Sequence, residues 1–225
     1  MTRISSSTLF NITDKIDYLI DNLINGIYCS NTYEKLPVQN NGYRVPMACF
    51  CDIPLSLIKE HFDWYGRYGI GIKRSYAREH GVKPVWYVTS ENNYVRNLIK
   101  QKEFSDYERK YILPYLKQFI GYQFYTKENR KKRKKYYDER EWRFIPNNSL
   151  VESFFGIKEQ KEEKELEKST KRMTLDLNQV EYIIIEKSSD LESMLKNLKV
   201  ICKGSTQYEN MVSKIITSRQ IDRDF

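Results

Sequence analysis

The chain has 225 residues, 40% of them hydrophobic and 14% aromatic, which suits a folded protein with a sizeable core and a net charge of +8. Four cysteines and two histidines exclude a secreted disulfide framework and argue against zinc, so Cys49 and Cys51 are expected as reduced thiols and no metal site is expected. No apolar run approaches the ~20 residues of a membrane span. The first residues form no signal-peptide core, so a cytoplasmic protein is expected.

The first half of the chain alternates short strand and helix patterns. A β-prone segment, Thr8–Ile12, precedes Thr13, which suits a helix N-cap. Apolar residues from Ile16 to Ile24 then recur at helical spacing, and Gly26 suits the position after the last helical turn. Further strands are predicted where apolar runs meet proline or glycine, at Met47–Ile53, Tyr68–Ile72 and Pro84–Val88.

The second half contains a longer helical pattern and two more strands. Ser105–Tyr125 is predicted to be mainly helical and kinked at Pro114. Strands are predicted at Glu139–Ile145 and Gln179–Glu186, and the charged segment 158–172 is expected as an exposed helix or a mobile loop. With no linker composition to divide it, the chain is predicted to be a single α+β domain across 1–225, with a mixed or antiparallel sheet flanked by helices.

A basic run carries much of the positive charge. It begins at Lys127 and includes six consecutive cations, Arg130, Lys131, Lys132, Arg133, Lys134 and Lys135. Such a run attracts phosphates and could bind nucleic acid, an acidic protein partner or a dinucleotide. Tyr136 and Tyr137 follow, and aromatic rings beside cations can stack on unpaired bases. A solvated loop is the alternative interpretation.

Two glutamates stand two positions apart near the late strand. On a strand, Glu139, Glu141 and Arg143 would line one face, while Trp142 and Phe144 would enter the core. Arg143 could keep Glu141 ionised or bind a phosphate. The competing interpretation is a half-buried strand with ordinary surface salt bridges.

Three segments resemble the AbiGi family of abortive-infection proteins. They are Leu9–Thr13 with its following helix, Val45–Ser56 with its continuation through Tyr65–Lys73, and Glu139–Phe144. The resemblance implies a role in bacterial phage defence. It also implies an antitoxin paired with a nucleotidyltransferase-like toxin.

The same layout distantly resembles an ADP-ribosyltransferase-type fold. That resemblance implies NAD as substrate, Glu141 as the catalytic carboxylate and Glu139 as its partner. It also implies ribose or nicotinamide contacts from Asn11 and Thr13, with Tyr65, Tyr68 and Arg143 completing the NAD site. Such enzymes carry a His or an Arg on the first strand, where this chain has Asn11, which can form a hydrogen bond but carries no charge. A carboxylate is needed because cleavage of the glycosidic bond develops positive charge on the ribose.

Two hypotheses therefore remain. In the first, the protein is an NAD-dependent mono-ADP-ribosyltransferase that modifies nucleic acid or protein during infection. In the second, it is a non-catalytic antitoxin or sensor that binds a toxin through its basic surface.

Overall fold

The structure, a computed structural model, describes residues 5–35, 41–100, 104–147, 149, 155–156 and 171–224. The described residues form two compact units. The first unit comprises Met1–Tyr28, Cys49–Gly81 and Arg172–Phe225, and the second comprises Cys29–Ala48 and Val82–Lys171. Residues 158–170 of the charged segment lie outside the described residues, and the prediction of one domain across 1–225 stays a prediction.

Strands and helices are interspersed along the chain, and several strands follow one another without a helix between them. The strands are β1 Thr8–Thr13, β2 Ile27–Tyr28, β3 Ser30–Lys35, β4 Asn41–Cys51, β5 Tyr68–Lys73, β6 Lys83–Pro84, β7 Trp86–Val88, β8 Leu116–Gln118, β9 Ile120–Tyr125, β10 Arg130–Lys135, β11 Glu141–Phe144, β12 Phe155–Gly156, β13 Arg172–Met173, β14 Val180–Ile185 and β15 Ile215–Thr217. The α-helices are α1 Ile16–Asn25, α2 Lys59–Tyr65, α3 Arg74–Glu79, α4 Asn93–Lys100, α5 Asp106–Tyr111, α6 Leu191–Ile201, α7 Ser205–Val212 and α8 Ser218–Asp224. In the described ranges, none of these helices has the length and apolar character to cross a membrane.

The first unit is built on a mixed sheet. Its strand order is β15-β14-β5-β1; β14 and β15 are parallel, while β5 pairs antiparallel with both β14 and β1. The end of β4 joins β1 where Cys51 pairs with Phe10. Helices α1, α2 and α3 contact the sheet. The core cluster consists of Phe10, Cys51, Ile53, Ile58, Phe62, Ile184 and Ile221. The predicted α+β class with a mixed sheet and flanking helices is confirmed.

The second unit is built mainly from paired strands. β3 pairs antiparallel with β4 from Ser30↔Met47 to Lys35↔Gly42, and β11 pairs antiparallel with β6. β7 and β8 are parallel, whereas β9 and β10 form an antiparallel ribbon. The unit therefore takes its functional side chains from strands that are far apart in the sequence.

The prediction of a mainly helical Ser105–Tyr125 is wrong. Only Asp106–Tyr111 is α-helical, opened by a capping box between Ser105 and Glu108. A 3-10 turn holding Pro114 then ends the helix, because proline cannot donate the next backbone hydrogen bond. The chain continues as β8 and β9, and the basic run after it forms strand β10 rather than a loop.

Candidate functional site

Six charged side chains of the second unit meet below its surface. We call them the ionic cluster, and each member is at most 8% exposed. Its members are Glu34 of β3, Lys117 of β8, Lys134 of β10, Glu139 of the turn after β10, and Glu141 and Arg143 of β11. Three carboxyl groups thus face three cations in an interior where unpaired charges are costly.

Glu141 has a cation at each of its carboxylate oxygens. Oε1 accepts a hydrogen bond from Arg143 Nε at 2.7 Å, and Oε2 accepts one from Lys117 Nζ. The Glu141 backbone N–H donates to Tyr87 Oη at 2.7 Å. The side chain is therefore held in one position by neighbours from β7, β8 and its own strand.

Glu139 belongs to the same cluster, but it lies in a turn and not on the predicted strand. It lies in the 3-10 turn Tyr136–Glu139, and Arg140 follows with a φ of 46°, so the strand begins only at Glu141. Lys117 Nζ lies 2.8 Å from Glu139 Oε2, and Lys134 Nζ lies 2.6 Å from Oε1. The prediction that Glu139 and Glu141 share a strand face is wrong, but both contact Lys117.

Arg143 is fully buried, with 0% of its surface exposed. Besides Glu141, its guanidinium pairs with Glu34 and donates to the carbonyl oxygen of Pro114 at 2.8 Å. The prediction had Trp142 and Phe144 in the core, yet they are only half-buried while Glu141 and Arg143 point inward. The face of the strand is reversed because ion pairing within the cluster compensates the cost of burying the charges.

The cluster shifts the titration of its carboxyl groups in two directions. Burial raises the pKa of Glu141, but the charges of Arg143 and Lys117 outweigh it and hold that pKa below its ordinary value. Burial also raises the pKa of Glu139, but the charges of Lys117 and Lys134 outweigh burial and hold that pKa below its ordinary value. Burial prevails at Glu34, whose pKa is raised despite Arg143. Glu139 and Glu141 are therefore anions at neutral pH.

This arrangement is suited to holding strands together. All four carboxylate oxygens of Glu139 and Glu141 have a lysine or arginine partner. A carboxylate that stabilises a reacting ribose must instead face the sugar. Sequence reasoning missed Glu34 and Lys117, because Ser30–Lys35 is polar throughout and Lys117 fell within a predicted helix.

The predicted NAD contacts of the first unit have protein partners as well. Asn11 donates through Nδ2 to the Cys49 carbonyl at 2.9 Å and accepts at Oδ1 from Asn22 at 3.2 Å. Thr13 pairs with Tyr68 across β1 and β5. Asn11, Thr13 and Tyr68 thus lie on neighbouring strands of one sheet.

The two predicted tyrosines have separate surroundings. Tyr68 donates a hydrogen bond to Asp190 at 3.1 Å. Burial is the main cause of the raised pKa of Tyr68, and the negative charges of Asp190 and Glu186 raise it further. Tyr65 packs against His61, with ring centroids 4.6 Å apart. A shared NAD site of these first-unit residues with the glutamates stays a prediction. The parts of the chain that the structure describes hold no group of three His, Cys, Asp or Glu side chains able to bind a metal ion.

The basic run divides between the interior and the surface. Lys134 is buried on Glu139 and Lys132 is half-buried, so the exposed cations are Arg130, Lys131, Arg133 and Lys135. The paired strand β9 exposes every second residue, at Ile120, Tyr122 and Phe124. The ribbon therefore presents aromatic and basic side chains together.

Comparison with known proteins agrees with the resemblance noted in the sequence. The model of the AbiGi family, described as an abortive phage resistance protein and antitoxin, matches residues 27–186. An abortive phage resistance protein AbiGi of Lactococcus lactis subsp. cremoris is 24% identical over 236 aligned residues, covering 86% of this chain and 95% of that protein. No solved structure matches the chain. The ADP-ribosyltransferase-like part of the fold prediction stays a prediction.

Proposed function

The chain belongs to the AbiGi family of abortive phage resistance proteins, and from that membership we propose that it is a non-catalytic antitoxin that binds a toxin protein. In this role it restrains the toxin of a phage-defence pair by occupying its surface. The family description, which names an antitoxin, supports a toxin as partner. The nucleotidyltransferase-like toxin implied by the sequence resemblance is the partner to test first.

The observation that carries the proposal is the pairing of Glu139 and Glu141. These are the two carboxylates that an ADP-ribosyltransferase of this layout would use, and cations engage all four of their oxygens. If the Glu141 carboxylate turned towards a ribose, the buried side chains of Lys117 and Arg143 would each lose one carboxylate partner. Breaking a buried ion pair by removing one partner costs about 3–5 kcal/mol. This cost favours a structural role for the pair.

The enzymatic alternative is an NAD-dependent mono-ADP-ribosyltransferase. Its support is the Glu139-x-Glu141 spacing and the distant resemblance of the layout. It requires a different arrangement of Glu141 when NAD is bound, since the carboxylate must then stabilise the positive charge that develops on the ribose.

Labelled NAD distinguishes the two functions. The purified protein is incubated with NAD carrying labelled ADP-ribose, together with its cognate toxin and with cell extract. The antitoxin proposal predicts no transfer of label and no consumption of NAD. Transfer of label by the wild-type protein would contradict the proposal and support the enzyme.

Co-expression measures the binding half of the proposal. The toxin is induced in cells with and without this chain, and the purified pair is examined by size-exclusion chromatography. The proposal predicts restored growth and a complex of fixed stoichiometry. A toxin that remains lethal, or that elutes apart from this chain, would remove the antitoxin role.

A further inference from the structure

The ribbon of β9 and β10 has two chemically different faces. In its antiparallel register, Lys131 lies opposite Phe124, Arg133 opposite Tyr122, and Lys135 opposite Ile120. Alternate residues of a strand share a face, as do residues directly opposite each other on its partner. Ile120, Tyr122, Phe124, Lys131, Arg133 and Lys135 therefore form one surface, here called the aromatic–basic face.

The cations on the opposite face of the ribbon have partners within the second unit. Lys134 is buried on Glu139, and Lys132 Nζ lies 4.5 Å from the centre of the Tyr125 ring. Lys132 and Arg130 also pair with Glu128. Their charges are therefore partly neutralised.

The aromatic–basic face is open. Tyr122 is 69% exposed and Phe124 is 51% exposed. Lys131 and Arg133 form no ion pair with any residue that the structure describes, and both are exposed. Exposed aromatic rings that form a patch rimmed by polar or charged side chains mark a binding site, which points to a ligand that covers them.

We propose that the aromatic–basic face binds single-stranded RNA, with bases stacked on Tyr122 and Phe124 and phosphates held by Lys131 and Arg133. On a β-strand, residues two apart are separated by about 6.8 Å, which is twice the ~3.4 Å spacing of stacked bases in a nucleic acid. An RNA strand extended to that spacing can thus place neighbouring bases on the two rings. Each ring has a cation directly opposite to neutralise the phosphate beside its base.

The chemistry favours RNA over the other occupants. A duplex hides the faces of its bases, so a stacking surface selects unpaired strands, which in RNA occur as loops, bulges and ends. A protein partner is the competing occupant, since protein interfaces are also rich in tyrosine, phenylalanine and arginine, but their cores are depleted of lysine, which this face holds at Lys131 and Lys135. This inference goes beyond the antitoxin role and rests on the ribbon alone.

Fluorescence anisotropy with a labelled single-stranded RNA of twelve mixed nucleotides tests the proposal on the full chain. Tyr122→Ala and Phe124→Ala should each weaken binding by about 5- to 150-fold, whereas Tyr122→Phe should retain it because the ring remains. Tyr94→Ala is the matched control, because Tyr94 is 66% exposed in α4, and it should leave binding unchanged.

Salt dependence separates the cations of the face from the net charge. Replacing Lys131 and Arg133 by glutamine should reduce the slope of log affinity against log salt by about two. The control replaces Lys59 and Lys199, which are exposed in α2 and α6, and changes the net charge equally. Equal losses in the two double variants would mean that net charge alone attracts RNA, and the proposed site would be wrong.

Three further outcomes would overturn the proposal. Binding that survives the Tyr122→Ala, Phe124→Ala double variant would remove the stacking surface. Tighter binding of duplex RNA or of single-stranded DNA would remove the choice of ligand. If the double variant retains RNA binding but fails to form the complex with the toxin, the face is a protein interface. Labelled NAD tests the antitoxin proposal separately, so the two ideas can fail independently.

Discussion

Lys117 Nζ lies 2.8 Å from Oε2 of Glu139, and both side chains are buried. The same ammonium contacts Glu141, so one lysine of β8 joins the two glutamates that the sequence presents as a catalytic pair. Because β8 pairs with β7, this contact connects the parallel pair β7–β8 to β11 and to the turn before it. The cluster thereby holds together parts of the second unit that lie far apart in the chain.

Lys117→Met should lower the free energy of unfolding by about 3–5 kcal/mol, because it leaves two buried carboxylates short of a cation. Urea denaturation measures the change. Lys135→Met is the matched control: Lys135 pairs with Asp138 at 3.2 Å, but both are exposed. Its effect should stay within about 1 kcal/mol. Equal effects of the two substitutions would show that burial gives the cluster no special role.

Arg143 and Glu34 should be strongly coupled in a double-mutant cycle. Arg143→Met leaves Glu34 and Glu141 without the guanidinium, whereas Glu34→Gln removes a carboxyl whose pKa burial already raises. The double variant should therefore be more stable than the sum of the two losses predicts, by about 0.5–3 kcal/mol. Unfolding midpoints in urea give the coupling. Additive losses would contradict direct pairing of the two side chains.

Stability should fall in acid. Burial raises the pKa of Glu139 and of Glu141 in the folded state, but the neighbouring cations outweigh burial and hold both pKa values below the ordinary one. The unfolded chain then binds more protons as the pH falls, so stability is lost from about pH 4.3 downward, the ordinary glutamate value. Glu34 has a raised pKa in the folded state, so its contribution to stability increases as the pH falls, but it is one group against two.

Urea midpoints between pH 7 and pH 3 measure this acid dependence. Glu141→Gln should show a shallower decline than the wild-type protein, because one of the two responsible carboxyls is gone. A wild-type protein whose stability is flat or rising toward pH 3 would disagree with the ion pairing described.

Gly66 and Gly81 should respond differently to alanine. Both have a positive φ, 121° and 85°, which residues with a side chain rarely adopt and which costs an alanine about 1–3 kcal/mol. A Cβ on Gly66 would also clash with the Cα of Asp14, whereas one on Gly81 meets nothing within 4 Å. Gly66→Ala should therefore lower the melting temperature clearly more than Gly81→Ala. Similar shifts would mean that the backbone near Asp14 yields easily.

Much of the first unit could be predicted from the sequence, because the spacing of its apolar residues and the glycine that follows its first helix agree with the tertiary packing. The strand Thr8–Thr13 and the helix ending before Gly26 are examples. The failure at Ser105–Tyr125 has a local cause. Apolar residues from Tyr111 to Ile120 fit a helical period, but the alternation of Ile120, Tyr122 and Phe124 also indicates a strand, and Pro114 separates the two patterns.

The ionic cluster could be predicted only in part. The two glutamates and Arg143 stand together in the sequence, whereas Lys117 and Glu34 join them through long-range contacts that no local pattern contains. The break before β11 depends on the left-handed backbone of Arg140, which single residues other than glycine adopt uncommonly. Which face of the strand is buried therefore followed from the partners and could not be read from residue type.

We propose that this chain protects cells by binding its toxin, and that Glu141 stabilises the fold. The decisive experiment measures how well Glu141→Gln protects cells against the cognate toxin, at a growth temperature at which circular dichroism shows the purified variant to be fully folded. The substitution keeps the shape of the side chain and removes its charge. Protection equal to that of the wild-type protein is the predicted result. Complete loss of protection by a fully folded variant that still binds the toxin would contradict the claim and restore Glu141 as a catalytic residue.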